Sequence, residues 1–337
     1  MPIVLDAMGS DHYPDPEIEG AIHAALELGE EIILVGNEEI VRPKLEKANT
    51  RNAPVRLVHA PDVLEMTDKP VEGARKKPRN SMAVGMELVK SGEASAFFTA
   101  GNTGGANFIA LRTLGRIRGV SRPPLTAVFP TRKGFCVVCD IGANVDCRPE
   151  FLVEFAVMGS IYAQKMLGIE RPRVGLLSNG EEASKGNQLV HDTYPLLEKT
   201  RLNFIGNVEG KEIFQGDVDV VVTDGFVGNV MLKSVEAVSK LLIDMLTEQI
   251  KSSPITMLGG LLAKPAFRQL KKMMAPDEVG AAPLLGIDGL VFVGHGRSNA
   301  RAIYSGLKLA HQAVQKNLLG ALRDAIQQEL SSNEPVS

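Results

Sequence analysis

Short runs of apolar residues alternate with longer stretches of helical periodicity along almost the whole chain. The short runs predict β-strands near 2–6, 31–36, 55–59, 95–99, 173–178, 202–206, 218–223 and 289–293. The stretches between them predict helices near 15–28, 80–91, 103–114, 149–167, 186–198, 228–250 and 298–328. Apolar strands separated by helices are typical of a mostly parallel sheet with crossover helices on both faces. The pattern therefore predicts a doubly wound α/β fold.

One stretch departs from this alternation. Residues 125–130 and 134–142 are extended segments separated by three residues, a spacing that suits an antiparallel hairpin. The sheet is therefore expected to be mixed. Because no internal repeat or low-complexity linker marks a boundary, we expect residues 1–330 to form a single α/β domain. Its two lobes are expected to share one continuous sheet, and a disordered tail should follow at 331–337.

The second strand of this hairpin contains a C-x-x-C sequence, formed by Cys136 and Cys139, with a third cysteine at Cys147. Such spacing can indicate a metal site or a redox pair. In an extended strand, however, residues three apart point to opposite faces. We therefore expect neither a shared metal nor a disulfide.

Residues 251–276 interrupt the pattern as a helical excursion broken by prolines and a glycine pair. Apolar residues in this segment are interleaved with lysines and arginines. A basic amphipathic segment of this kind suits an anionic membrane surface. The alternative is a helical arm that packs on a partner subunit, and the sequence does not separate the two.

Composition limits the classes of function. The chain of 337 residues is 44% hydrophobic and 23% charged, with a net charge of −3, which indicates a globular protein without global attraction to nucleic acid. The first residues lack the pattern of a secretory signal, and no run approaches the roughly 18 apolar residues of a membrane span. We therefore expect a cytoplasmic location, with any membrane contact peripheral.

The segments that follow the predicted strands share an unusual composition. Each joins glycines to asparagine, aspartate, histidine or lysine just before a helix. Glycine allows a ligand to approach the backbone, and a helix N-terminus presents free N–H groups to an anion. Ligands of open α/β sheets bind at the carboxyl ends of the strands. These loops therefore predict one phosphate-handling site: DAMGSDHYPDP (6–16), TAGNTGG (99–105), DIGANVDC (140–147), SNGEEASKGN (178–187), TDGFVGN (223–229) and GHGRSN (294–299).

Several common motifs are missing from the chain. It contains no G-x-x-x-x-G-K-[ST] sequence, and the first strand does not lead into G-x-G-x-x-G. These absences argue against a kinase and an ordinary dehydrogenase. No G-x-S-x-G nucleophile elbow is present either, so a serine acyl-enzyme is not expected.

Taken in order, these segments closely resemble the phosphate acyltransferase family, the PlsX-type enzymes of bacterial phospholipid synthesis. The match covers nearly the whole chain, and its most specific pieces are DAMGSDH, AGNTG, DIGANVDCRPE, GEEASKGN, NFIGNVEG, DVDVVVTDGFVGNV and APLLGIDG. More remotely, the family is similar to the Rossmann-like fold group of phosphotransacetylase and of isocitrate and isopropylmalate dehydrogenases. Departures are Ser10 for a usual glycine, Tyr13 for alanine, Ser178 for asparagine, and KKPRNSM at 76–82 for KKDSS.

The resemblance implies transfer of a fatty acyl group from acyl carrier protein to inorganic phosphate, which yields acyl phosphate for phospholipid synthesis. It also implies a homodimer at the inner face of the plasma membrane. The alternatives are a phosphotransacetylase-like enzyme that uses acyl-CoA, and a non-catalytic regulator or lipid-binding protein with the same fold.

Positioning and charge stabilisation should dominate such a reaction, because a thioester already has a good leaving group. We expect Lys185 and the loop amides around 101–105 to hold phosphate, Asn229 to bind the developing oxyanion, and His12 to orient or deprotonate phosphate. His12 could instead bond its own loop, and the aspartates and asparagines could cap helices or serve turns. The predicted substrate-binding residues are Asp6, Gly9, Gly101, Asn102, Thr103, Gly104, Asn144, Asp146, Asn187, Asp224 and His295.

We expect no cofactor, and no metal because the loop carboxylates lack a compact ligand spacing. Carrier protein is strongly acidic, so its docking surface should be basic. One candidate is the run 75–79, and the other is a group after the AGNTGG segment that includes Arg112, Arg116 and Arg118. The alternative for both is an ordinary solvated charged surface.

Overall fold

The computed structural model of the chain describes residues 1–267 and 280–332. Its strands are β1 (Ile3–Asp6), β2 (Ile32–Gly36), β3 (Val55–His59), β4 (Ala96–Thr99), β5 (Thr126–Thr131), β6 (Gly134–Cys139), β7 (Arg173–Leu177), β8 (Asn203–Val208), β9 (Val220–Val222), β10 (Ala282–Pro283) and β11 (Leu290–Val293). The strands expected from apolar runs are all present. The predicted hairpin is confirmed as the antiparallel pair of β5 and β6.

The helices are α1 (Asp15–Leu28), α2 (Glu38–Lys47), α3 (Pro70–Lys76), α4 (Ser81–Lys90), α5 (Thr103–Thr113), α6 (Pro149–Tyr162), α7 (Gln188–Glu198), α8 (Gly210–Gln215), α9 (Gly225–Lys251), α10 (Pro254–Leu262), α11 (Ala300–Gln315) and α12 (Leu318–Ser332). A π-helical turn, Ala163–Leu167, extends α6. The predicted helix 298–328 is in fact α11 and α12, because Asn317 adopts a left-handed φ of 50° between them. The predicted tail is wrong at its start, since α12 runs to Ser332, and 333–337 lie outside the described residues.

The strands form two sheets, in the orders β10–β11–β4–β1–β2–β3 and β5–β6–β9–β7–β8. The pairs β10–β11 and β5–β6 are antiparallel and the other pairs are parallel. An isolated bridge between Leu125 and Leu284 joins the sheets beside β5 and β10. The expected continuous sheet is therefore wrong. Its ladder stops at β10, a strand of two residues in which Pro283 has no N–H to donate.

Side chains alternate between two apolar layers, one on each face of the sheets. In β1, Ile3 and Leu5 belong to one buried cluster, whereas Val4 belongs to the other. Helices α1 and α11 supply the first layer, and α4 and α5 supply the second. This arrangement confirms the doubly wound, mostly parallel fold. Cys136 and Cys139 lie in opposite clusters and both thiols are free, as the strand alternation predicts.

Helices α9 and α10 form an arm that leaves the body of the protein. Only Gly225 and Gly228 of the 27 residues of α9 are buried, and α10 has no buried residue. Large apolar side chains of the arm are exposed: Val238, Leu241, Leu242, Met245, Leu246, Ile255, Met257, Leu258, Leu261 and Leu262. No helix within 1–267 and 280–332 is long and apolar enough to cross a membrane. Of the predicted excursion 251–276, residues 268–276 lie outside the described residues.

Candidate active site

Six loops carry the predicted site residues, and each follows the carboxyl end of a strand. We name each loop after its strand: the β1 loop (7–14), β4 loop (100–102), β6 loop (140–148), β7 loop (178–187), β9 loop (223–224) and β11 loop (294–299). In the first sheet β11, β4 and β1 are neighbours, and in the second β6, β9 and β7 are neighbours. Each sheet therefore places three of the loops side by side.

The β1 and β4 loops are joined through the carboxylate of Asp6. This side chain is fully buried and accepts the Thr99 hydroxyl at 2.7 Å and the Met8 amide at 3.0 Å. The Thr99 hydroxyl in turn accepts the Gly101 amide at 2.9 Å. Burial raises the pKa of Asp6, and its hydrogen bonds counter part of this rise. Asp6 supports both loops from behind, since it has no exposed surface for a ligand.

Close backbone contacts complete the first group of loops. A Cβ on Gly9 would lie 2.8 Å from the Gly101 nitrogen, so these loops can touch only because position 9 is glycine. The Asp11 amide donates to the Gly296 carbonyl at 2.7 Å and ties the β1 loop to the β11 loop. The loops of three adjacent strands therefore form one surface.

In the second sheet the β6 loop folds around the buried carboxylate of Asp140. It accepts five hydrogen bonds of 2.6 to 3.0 Å, from the amides of Leu125, Gly142, Ala143 and Asn144 and from the Asn144 side chain. Burial raises the pKa of Asp140, and these N–H donors counter part of the rise. Five donors fix the shape of this loop, so we regard Asp140 as its structural centre.

Helix α9 begins directly against the β6 loop. The Gly225 amide donates to the Asn144 carbonyl at 2.7 Å. A Cβ on Gly228 would lie 1.8 Å from the Asp140 carbonyl oxygen, so this turn of α9 touches the loop backbone. Asn229 follows, and its Cγ lies 3.6 Å from the position that a Cβ on Gly142 would take. The contact places the Asn229 amide beside the β6 loop.

One contact joins α9 to the loops of the first sheet. The Nε2 of His295, on the β11 loop, lies 3.4 Å from a carboxylate oxygen of Glu236, and Glu236 also accepts Lys233 at 3.0 Å. His295 is 57% exposed. The predicted substrate-binding residue His295 therefore already has a partner on the helix that begins at the other group of loops. This contact links the two groups of loops through α9.

Several predicted site residues use their side chains to hold backbone. Asn102 accepts the Gly105 amide at 2.9 Å and donates to carbonyls in 65–68 at 3.0 to 3.4 Å. Asn187 and Asp224 accept first-turn amides of α7 and α9 at 3.0 and 2.9 Å. Asn144 is committed to Asp140 in the same way. These residues build the loops, as the capping alternative predicts.

The three residues to which we assigned chemistry are different. His12, Lys185 and Asn229 are exposed, and their side chains form no hydrogen bond or ion pair with any other described residue. Asp146 is exposed on the β6 loop in the same way. Thr103 and Gly104 are exposed in the first turn of α5, with amides that helix geometry leaves unpaired. These groups remain available to a ligand.

The β7 loop is shaped from β8. The Asn207 side chain donates to the carbonyls of Glu182 at 2.9 Å and Lys185 at 3.3 Å, so the backbone at Lys185 is held while its ammonium stays in solvent. The same loop contributes Glu181 to a cluster of three carboxylates. Within the described residues Lys185 forms no hydrogen bond or ion pair with His12 or Asn229, so the structure does not bring these three side chains together directly.

Three carboxylates among the described residues lie close enough to hold a cation: Glu181, Glu209 and Glu212. The Lys211 ammonium already lies 2.7, 3.2 and 3.4 Å from them. These bonds lower the pKa of Glu181. The Lys211 ammonium therefore already occupies the place between these carboxylates, and the cluster gives no reason to assign a metal.

Some residues that shape the loops were not predicted. Thr99 and Asp140 stand at the ends of strands, directly before glycine-rich segments, and this position was a usable signal. Asn207 and Glu236 contact residues on other elements, and a motif read along the chain does not reveal such contacts. Glu17 is buried in the first turn of α1, where an acidic residue is ordinarily exposed and favourable.

The basic candidates for docking differ in their surroundings. Arg112 of α5 and Arg79, from the other candidate run, line one cleft. Arg116 donates to the Ser121 carbonyl, and Arg118 is exposed. The structure therefore joins one member of each candidate surface, whereas Arg116 is held by its own chain.

The chain is similar to known proteins over nearly its full length. A family model described as a fatty acid synthesis protein matches residues 1–320. A phosphate acyltransferase of Elusimicrobium minutum is 46% identical over 327 residues, covering 97% of this chain and 96% of that protein. The phosphate acyltransferase of Pelotomaculum thermopropionicum is 45% identical over 327 residues, with coverages of 97% and 95%.

Solved structures with the same fold are more distant in sequence. A phosphotransacetylase from Staphylococcus aureus has a TM-score of 0.57 and 18% identity, covering 93% of this chain and 94% of that one. A 4-hydroxythreonine-4-phosphate dehydrogenase from Klebsiella pneumoniae has a TM-score of 0.54 and 14% identity, with coverages of 93% and 99%. At these identities the likeness concerns the fold alone. It confirms the predicted phosphotransacetylase-like fold group.

Proposed function

The chain belongs to the phosphate acyltransferase family, as its motifs predict, and we propose that it transfers a fatty acyl group from acyl carrier protein to inorganic phosphate. The product is an acyl phosphate for phospholipid synthesis. Membership makes the protein an enzyme of the acyltransferase class and connects it with fatty acid metabolism. The carrier substrate, the product and the residue roles are our inference.

The observation that supports this proposal is that the loops contain two classes of polar residue, one that holds the backbone and one that is free to bind a ligand. Asparagines and aspartates that cap helices keep the glycine-rich backbone in place, while His12, Lys185 and Asn229 face solvent without partners among the described residues. A reaction that depends on positioning and charge needs this combination of a braced backbone and free polar groups.

In the proposed mechanism, phosphate enters as the monohydrogen dianion and binds Lys185 and the exposed amides of Thr103 and Gly104. A phosphate oxygen attacks the thioester carbon, and Asn229 donates a hydrogen bond to the carbonyl oxygen as it becomes negative. The C–S bond then breaks, and sulfur leaves with the electron pair. His12 takes the phosphate proton and passes it on, so that the carrier thiol is released. No metal or cofactor takes part in these steps.

The decisive experiment is to mix the protein with long-chain acyl carrier protein, with and without phosphate, and to measure acyl phosphate and released thiol. We expect both products only when phosphate is present. Lys185→Gln should raise the KM for phosphate at least tenfold, since one charge-assisted contact contributes about 1.5–3 kcal/mol. Lys199→Gln, at an exposed lysine after α7, is the matched control and should behave as the parent. An unchanged phosphate dependence in Lys185→Gln would remove that role.

The alternative is an enzyme that uses acyl-CoA like a phosphotransacetylase. The fold neighbours support it only as an analogy. Measuring kcat/KM for acyl-CoA and for acyl carrier protein at one phosphate concentration decides between the two. A larger value for acyl-CoA contradicts the proposed carrier substrate. Absence of any phosphate-dependent thiol release would instead favour a non-catalytic lipid-binding or regulatory protein.

We further propose that the α9–α10 arm serves homodimer formation and peripheral contact with an anionic membrane at the inner face of the plasma membrane, from a cytoplasmic location. The support is its apolar surface, in which Ile255 is 84% and Leu262 is 78% exposed. A surface on which several large apolar side chains are exposed together marks an interface. Sedimentation velocity measures the dimer, and flotation with phosphatidylglycerol vesicles measures the membrane contact. A monomer that ignores vesicles would contradict both roles.

A further inference from the structure

A cleft of about 330 Å³ lies on the outer side of the first sheet, between α4 and α5 and beneath the turn that precedes α4. Its lining combines apolar side chains with charged groups at the rim. The lining residues are Ala74, Pro78, Arg79, Asn80, Ala83, Val84, Glu87, Phe108, Ile109, Arg112 and Thr113. The two helices run side by side, so the cleft has the form of a short groove.

The chemistry of the groove is that of a basic rim over an apolar floor. Val84 and Phe108 are only partly buried and form part of the floor. The guanidinium groups of Arg79 and Arg112 are exposed, and neither forms a hydrogen bond or ion pair with another described residue. Glu87 is the acidic member of the lining. Arginines that have no ion-pair partner beside an apolar groove can bind the carboxylates of another molecule.

Positive charge continues outside the groove. Arg75 and Lys76 in the last turn of α3 are exposed, and no ion pair involves either residue within the described part of the chain. The neighbouring Lys77, in contrast, binds Asp68 at 2.5 Å and is therefore already neutralised. The groove and its surroundings thus form a basic surface, although the chain as a whole has a net charge of −3.

The groove is directly connected with the candidate active site. Asn80 lines it and caps α4 by accepting the Ala83 amide at 3.0 Å. The next residue, Ser81, is buried and lies close enough to Asp6, behind the β1 and β4 loops, to lower the pKa of that carboxyl. The second wall, α5, begins at Thr103 in the β4 loop region. A molecule seated in the groove therefore lies along the two helices whose first turns adjoin the reacting groups.

We propose that this groove is where the carrier protein docks, through an acidic amphipathic helix whose carboxylates bind Arg79 and Arg112 and whose apolar side chains cover Val84 and Phe108. The inference rests on the proposed function, because that function requires an acidic protein substrate. Helix-in-groove binding uses this combination of an apolar stripe and flanking charges. The proposal combines the two basic docking surfaces that the sequence predicts into one surface centred on the groove. Arg116 is not part of this surface.

The test compares charge reversal inside and outside the groove. Arg79→Glu and Arg112→Glu are the groove variants, and Arg201→Glu, at an exposed arginine before β8 in the second sheet, is the matched control. Each variant changes the net charge equally. The measured quantity is the ratio of kcat/KM for acyl carrier protein to kcat/KM for acyl-pantetheine, which lacks the protein part. The ratio should fall on the order of tenfold in each groove variant, more steeply at low salt, and stay at the parental value in the control.

Direct binding separates failure of the docking surface from failure of the proposed function. The affinity of fluorescent holo-carrier protein is measured by anisotropy at low salt for the same variants. If the parent makes no acyl phosphate but binds the carrier, and the groove variants bind at least tenfold more weakly than Arg201→Glu, docking stands and the proposed function fails. If acyl phosphate forms and all variants keep the parental ratio and affinity, the docking surface is wrong.

Two further outcomes would overturn the docking surface. One is that the groove variants lose affinity for phosphatidylglycerol vesicles while they keep the parental preference for carrier protein. The other is a change in sedimentation coefficient that identifies the groove as a contact between copies of the chain. Should charge reversal prevent folding, Arg79→Gln and Arg112→Gln remove the charge without repulsion and are judged by the same ratio, with a threefold fall expected.

Discussion

The buried carboxyl group of Glu17 should make the stability of the protein depend on pH near neutrality. Glu17 lies in the first turn of α1 with no exposed surface, and one carboxylate oxygen accepts the Ser10 amide at 2.9 Å. The other oxygen has no hydrogen-bond partner among the described residues. Burial raises the pKa of Glu17 from 4.5 to about 7; the hydrogen bond from the Ser10 amide counters this rise, and the nearby charge of Asp6 adds to it.

The sign and size of the effect follow from these values. Between pH 4.5 and about 7 the folded chain keeps the Glu17 proton, whereas the unfolded chain releases it. The free energy of unfolding therefore falls as the pH rises through this interval. At roughly 1.4 kcal/mol per pH unit over this interval, the total loss is about 3.5 kcal/mol, and it is complete above the folded pKa.

Replacing Glu17 by glutamine removes this titration and nearly preserves the shape of the side chain. Urea unfolding of the parent and of Glu17→Gln at one protein concentration, between pH 5 and 8, measures the difference between them. We expect the stability of the variant relative to the parent to increase by about 2.5 kcal/mol from pH 5 to pH 8, because part of the loss lies below pH 5. Asp6, whose pKa burial also raises, is present in both proteins, so only its interaction with Glu17 enters the difference.

Glu19→Gln is the matched control, because Glu19 is an exposed carboxylate on the same helix. At pH 8 its stability should differ from that of the parent by much less than the stability of Glu17→Gln does, because solvent surrounds the Glu19 side chain in the folded protein. A Glu17→Gln difference that does not change between pH 5 and 8 would refute the reasoning, since it would mean that Glu17 is ionised in the folded protein at every pH tested.

Two further predictions concern the backbone of the loops. Asn102→Ala should lower the free energy of unfolding by about 1–2 kcal/mol in urea, since it removes the cap of α5 and the anchor of residues 65–68. Gly228→Ala should destabilise by about 1–3 kcal/mol and abolish most turnover, because a Cβ would lie 1.8 Å from the Asp140 carbonyl. Gly259→Ala in α10 is its control, since nothing lies within 4 Å there, and equal melting of the two variants would contradict the packing argument.

The predicted elements were accurate where one physical signal dominates. Fully apolar runs such as that of β4 have no alternative to a buried strand, so their positions agree closely with the structure. The break between α11 and α12 was missed because Asn317 differs little from a helical residue in an amphipathic pattern. Packing in the folded protein, and not the local sequence, selects the left-handed backbone of Asn317. The short helix α8 was missed for a related reason, since six residues give too little periodicity.

For the site, the sequence predicted the loops better than it predicted the task of each residue. Asparagine or aspartate before a helix serves equally well as a cap or as a ligand, and only three-dimensional contacts distinguish the two. Asn102 is committed to four backbone groups, and Asp224 caps α9. Lys185, in contrast, keeps its charge in solvent. A polar loop residue is therefore a stronger candidate for chemistry when no nearby amide or carbonyl needs its side chain.

The division into two sheets gives α9 its place in the proposed reaction. Its first turn lies against the β6 loop at Gly228, and Asn229 follows at once. Two turns later Glu236 contacts His295 of the first sheet, and the helix then runs on as the exposed arm. One helix thus carries the oxyanion candidate, contacts both groups of loops and continues into the apolar arm. A partner or membrane that covers the arm would therefore contact the same helix that carries Asn229.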